Sequence, residues 1–169
     1  MVGSSLMTNG WAQKGGTALH TSKAVVNMQS QAAGGLSLSF VSLPDGVSVA
    51  GQRVLDLGRV SYAGRSRTAN VQTQAMTDRL VVSNRLGLIV QDSSLHFASA
   101  SLMASLAYPD ATHVFSLDGV RLTLTPQIVL GQMPVNKPSA HRLEIEVPTS
   151  LPEKDAAVHN SIIFQVVPN

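Results

Sequence analysis

Five histidines are the first place to look for chemistry in this 169-residue chain: His20, His96, His113, His141 and His159. No two stand at i, i+2 or i, i+4, the separations that put two ligands on one face of a strand or helix. Asp110 and His113 are three apart beside Tyr108-Pro109. That reads as a loop histidine hydrogen-bonded to its neighbour, with no third ligand for a metal. The absence of cysteine removes thiol nucleophiles, thiolate metal sites and disulfides together. Ser, His and Asp all occur, but there is no Gly-x-Ser-x-Gly elbow. Because the order of triad members differs between folds, sequence alone assigns no triad. Glu144 and Glu146 share one face of an alternating segment whose other face is apolar. They therefore read as a solvated carboxylate ladder rather than an acid–base pair. There is no Gly-rich phosphate loop and no Ca²⁺ loop. The expectation is a protein that is not an enzyme and uses no metal or cofactor.

The charges group by region. Arg53, Arg59, Arg65, Arg67, Arg79 and Arg85 are offset only by Asp56 and Asp78, a local net charge of +4, whereas residues 141–169 carry −2. Arg59, Arg65 and Arg67, beside Gly58 and Gly64, are candidate anion-binding residues for phosphate or a sulfated glycan. Nucleic-acid recognition would add stacking aromatics. Only Tyr62 lies near, so no nucleic-acid partner is expected. The basic middle and acidic end suit either complementary contact between subunits or simply a solvated surface with uneven charge.

The elements that must position these residues are β-strands. With 44% hydrophobic residues the chain can build a core, and its length suits one domain plus an arm. The run Leu86 to Val90 falls far short of the ~20 residues of a membrane helix, so no membrane span is expected. Residues 1–35 are small and polar, punctuated by Asn9-Gly10, Gly15-Gly16 and Gly34-Gly35, and read as an N-terminal arm. Gly10 and Ala12 stand at the −3 and −1 positions of a signal-peptidase cut, so residues 1–12 are a candidate signal-peptide remnant.

From Leu36 to Asn169 the period is two. Leu36, Leu38 and Phe40 alternate with serine; Pro44-Asp45-Gly46 marks a turn; Val54, Leu55, Leu57 and Val60 follow. Leu80 to Val82 and Leu86 to Val90 are two apolar runs around Ser83-Asn84-Arg85. Asp118-Gly119 between Val114–Leu117 and Val120–Leu124 predicts a hairpin with a type I′ turn. Leu143, Ile145 and Val147 share a face, as do Ile162, Phe164 and Val166, with Pro168 ending the last strand. Ser99 to Ala107 suits either a helical turn or a strand. The prediction is all-β: an Ig-like or jelly-roll-like β-sandwich at 36–169 with an extended N-terminal arm at 1–35.

The arm itself contains a strand pattern. Ala24, Val26 and Met28 fall on one face, and Ala18 shares their register. Such a strand gains a ladder by joining a sheet edge, either a neighbour's or that of its own domain. A Cys-free, Ser/Thr/Ala/Val-rich chain with this arm and the ending Ile162-Ile163-Phe164-Gln165-Val166-Val167 resembles the fimbrial subunits of alternative chaperone–usher pili. The likeness is one of pattern over Ala18 to Asn169. It implies an Ig-like sandwich lacking one strand, pilus assembly by donor-strand exchange, a role in cell adhesion, an assembly chaperone as partner and an extracellular or cell-surface location. Leu55-Asp56-Leu57-Gly58-Arg59-Val60 and Leu80-Val81-Val82-Ser83-Asn84 faintly resemble the cell-wall-binding WxL domains, whose Trp-x-Leu motifs are absent. The expected function is therefore a structural subunit that self-assembles into a fibre or surface lattice, with Ala18, Ala24, Val26 and Met28 as the donor residues and the chain itself as partner. The alternatives are a module that binds an anionic glycan or polymer through its arginines, and a viral coat or decoration protein.

Overall fold

The computed structural model describes residues 21–41, 54–61, 71–150 and 158–169. These form eleven strands, and among the described residues there is no helix. In chain order the strands are β1 (Thr21–Ala32), β2 (Leu36–Phe40), β3 (Val54–Ser61), β4 (Val71–Ala75), β5 (Arg79–Asp92), β6 (Ser99–Leu106), β7 (Val114–Leu117), β8 (Val120–Arg121), β9 (Gln127–Pro134), β10 (Pro138–Pro148) and β11 (Val158–Pro168). They make two sheets. One runs β3-β1-β11-β6-β9; the other runs β2-β5-β10-β7-β8, with β4 also paired to β5. The architecture is an all-β sandwich.

Alternation builds it. Along β10, Leu143, Ile145 and Val147 are buried, while Arg142 points out and Glu144 and Glu146 are half-buried. Along β11, Val158, Ile162, Phe164 and Val166 turn inward. A one-residue slip in either strand would expose its whole apolar set, so the register is strongly specified. Phe40 and Phe164, one from each sheet, meet edge to face with ring centroids 5.7 Å apart, a favoured aromatic geometry.

Three local expectations meet their outcomes here. Asp118 (φ 50°) and Gly119 (φ 81°) form the turn joining β7 and β8, with the two left-handed residues of the predicted type I′ hairpin. Ser99 to Leu106 is a strand, with Ala100, Leu102 and Ala104 packed in the core. The two apolar runs around Ser83-Asn84-Arg85 are parts of one continuous strand, β5. Asn84 and Ser83 stay in the sheet because β10 pairs them on one side (Leu143, Glu144) and β4 on the other (Val71, Gln72). A strand flanked on both edges holds polar residues that would end an isolated one. The Pro44-Asp45-Gly46 turn and the 1–12 segment lie outside the described residues.

Candidate functional site

β1 is the strand with the most to say about function. It lies between β3 and β11, antiparallel to the first and parallel to the second. In the parallel ladder Ala24 stands opposite Val158, Val26 opposite Asn160 and Met28 opposite Ile162. Val26 and Met28 are fully buried, so two of the four expected donor residues fill core positions in this chain's own sandwich. Ala24 holds its register place facing Val158 and Gly58. Ala18 lies outside the described residues. Residues 21–32, which composition assigns to the arm, thus form the second strand of a five-stranded sheet.

The exit from β1 is tight. Ala33 donates its N–H to Val166 O and accepts one from Leu36 N, both at 3.2 Å. Gly34 (φ 66°) and Gly35 (φ 81°) carry the chain across to the other sheet. A Cβ on Gly34 would lie 2.9 Å from Pro168 Cγ, closer than carbon atoms pack. This position therefore requires glycine for both its backbone angle and its neighbour. Withdrawing β1 would leave β3 and β11 each with an unpaired edge and open the core beside Asn160 and Ile162.

The candidate anion-binding residues are not brought together by anything described. Arg59 occupies the register position opposite Lys23, and Arg65 and Arg67 lie outside the described residues. Elsewhere arginines meet carboxylates: Arg79 with Glu146 at 3.0 Å and Arg142 with Glu144 at 2.8 Å. The predicted solvated ladder carries two ion pairs on the outer face of β10, its carboxylates half-buried and Arg142 exposed.

Three aspartates organise the loops. Asp92 accepts the backbone N–H groups of Ser94, His96 and Phe97 at 2.8, 2.7 and 3.0 Å, and the Ser94 hydroxyl. The Ser94 hydroxyl leads in holding its carboxyl down at about 2; burial opposes this, and the three N–H groups reinforce it. Asp110 accepts N–H groups from Thr112 and His113 and meets the His113 ring at Nδ1, 3.0 Å away, as the loop reading expected. Burial pushes this carboxyl up, but the His113 backbone, the His113 ring and Thr112 outweigh it, and the net direction is down. Asp118, at the β7–β8 turn, touches His141 Nδ1 with Oδ2 at 2.6 Å, and His141 Nε2 lies 2.8 Å from Ser139 Oγ.

This last group is what sequence reading missed. Ser139 and His141 are two apart, the spacing of one strand face, and the signal was there once β10 was known to begin at Pro138. Asp118 joins them only because β7 pairs with β10, Leu117 against Leu143. The chain matches no protein-family model and no curated protein sequence.

Proposed function

We propose that this chain is a structural subunit that self-assembles into an extracellular or surface fibre by giving β1 to a neighbouring copy. One observation supports the reading above the others. β1 is the first of the described strands, its Val26 and Met28 complete the core, and its link to the next described strand is a three-residue turn, Ala33-Gly34-Gly35, with two left-handed glycines. The bonds that hold β1 in its own sandwich would hold it equally in a neighbour's, so exchange sacrifices little at the seam. Opening the turn also releases two left-handed conformations. Reciprocal exchange closes a dimer; head-to-tail donation stays open and yields a fibre. While β1 is displaced, the edges of β3 and β11 and the groove between them need cover. An assembly chaperone or the next subunit's β1 would provide it.

The test uses the register. Asn27 and Ser161 are partners in the β1–β11 ladder, and the chain has no cysteine to interfere. In the full chain carrying Asn27→Cys and Ser161→Cys, oxidation after assembly is expected to give a ladder of covalent oligomers on a denaturing gel. Negative-stain microscopy is expected to show filaments. Cross-linked monomer alone, with a monodisperse 17.8 kDa species in light scattering, would overturn the proposal.

A further inference from the structure

Ser139, His141 and Asp118 form a hydrogen-bonded relay remote from the β1 seam in sequence and in sheet. The two contacts are short: 2.8 Å from Ser139 Oγ to His141 Nε2, and 2.6 Å from His141 Nδ1 to Asp118 Oδ2. A carboxylate only accepts, so in the neutral imidazole the proton sits on Nδ1 and the Nε2 lone pair faces the serine hydroxyl. The other contact of Ser139 Oγ, to Leu88 O, is longer at 3.4 Å. The hydroxyl proton is therefore directed at the imidazole. This is the tautomer and orientation in which a histidine removes a proton from a serine nucleophile.

The surroundings hold the relay in place. Asp118 is fixed at both ends: its Oδ1 accepts the Arg142 N–H at 2.7 Å and its own N–H donates to Arg142 O at 2.9 Å. His141 is 3% exposed, with both ring nitrogens engaged. Ser139 is half-buried at the start of β10, less enclosed than the buried His141 beside it. Ser139 and His141 continue the inward row of Leu143, Ile145 and Val147, which places the relay at one end of the core.

We infer that Ser139 is an activated nucleophile, and that this end of the sandwich carries an acyl-transfer site for carboxylic esters. Ser139 Oγ would bond to the ester carbonyl carbon as its proton passes to His141 Nε2. The carbonyl–oxygen bond to the alcohol then breaks, and the alcohol leaves with that proton. Water attacks the acyl-serine, giving a proton to His141, which returns it to Ser139 as the carboxylic acid departs. Asp118 steadies the imidazolium in both halves. Nothing is consumed but ester and water.

The probe is a biotinylated alkyl fluorophosphonate, which phosphonylates activated serines with loss of fluoride, applied to the full chain and read by intact-mass and peptide mass spectrometry. One adduct at Ser139 is expected, absent in Ser139→Ala. His141→Gln should slow labelling at least about 10⁴-fold, and Asp118→Asn, which acts through the imidazole, about 10⁴-fold. Hydrolysis of p-nitrophenyl acetate should fall in the same order. His141 and Asp118 also tie the hairpin, so thermal unfolding is followed beside labelling. Ser139→Ala removes only a hydroxyl and should keep the wild-type circular dichroism, so it tests the nucleophile even where the other two variants unfold. Folded wild-type protein with no adduct at Ser139, or labelling that His141→Gln leaves unchanged, would overturn the inference.

Discussion

Asp92 shows how one side chain can build a loop. Four donors converge on its carboxylate, and its backbone is clasped in turn by Asn136, whose Oδ1 accepts the Asp92 N–H at 3.0 Å while Nδ2 donates to Asp92 O at 3.1 Å. The folded carboxyl titrates at about 2, below the value near 3.9 of an unfolded chain. The unfolded state therefore binds its proton first as pH falls. The contribution of Asp92 is complete above about pH 4 and is lost as pH drops through about 2. Asp110, shifted in the same direction, adds to the same acid limb. Asp92→Asn should lower the melting temperature at pH 7, and the gap from wild type should close between about pH 4 and about pH 2. A gap that stays constant over that range, followed by calorimetry, would show that the charge of Asp92 is not what the loop uses.

At the scale of the element, β1 and its exit turn decide what the protein can do. Gly34→Ala keeps the left-handed angle and presses a methyl group against Pro168. That costs the closed turn about 1–3 kcal/mol. An exchanged β1 leaves this turn extended, where alanine is unstrained. The same substitution should thus lower monomer stability and raise the exchanged fraction about fivefold or more per kcal/mol, as read by size-exclusion chromatography after equilibration. Stability falling with no gain in oligomer would mean that the turn is not the hinge.

The alternation of Val26 and Met28 was legible in the sequence, as were the Asp118-Gly119 turn and the strand pattern of β10 and β11. The partner of β1 was not. Val26 meets Asn160, from the far end of the chain, in a parallel ladder, and no local pattern encodes so distant a pairing. Asn84 sits mid-strand because the neighbouring strands pair it on both sides, which no local pattern reveals. The Ser139–His141–Asp118 group sits between these cases, since its spacing was visible but its third member arrives through the register of β7 on β10.

Over the whole molecule, one continuous core joins the two sheets. Phe164 is central to it: fully buried in one sheet and stacked edge-on to Phe40 of the other. Phe164→Ala should cost about 3–5 kcal/mol, a large part of the roughly 5–15 kcal/mol that holds a typical domain. It should lower the melting temperature by about 10 °C. Because the core is shared, unfolding should remain a single transition, monitored at far-ultraviolet and aromatic wavelengths together. Two separated transitions would mean that the sheets unfold independently.

The parallel alignment of β1 with β11 has a mechanical meaning. Tension applied at Thr21 and at Asn169 would draw two neighbouring strands past each other along their length. The nine register pairs from Ala24–Val158 to Ala32–Val166 would then bear the load together, in shear, and could not be peeled apart one by one. A chain pulled from its ends would resist stretching until the whole seam gave way at once.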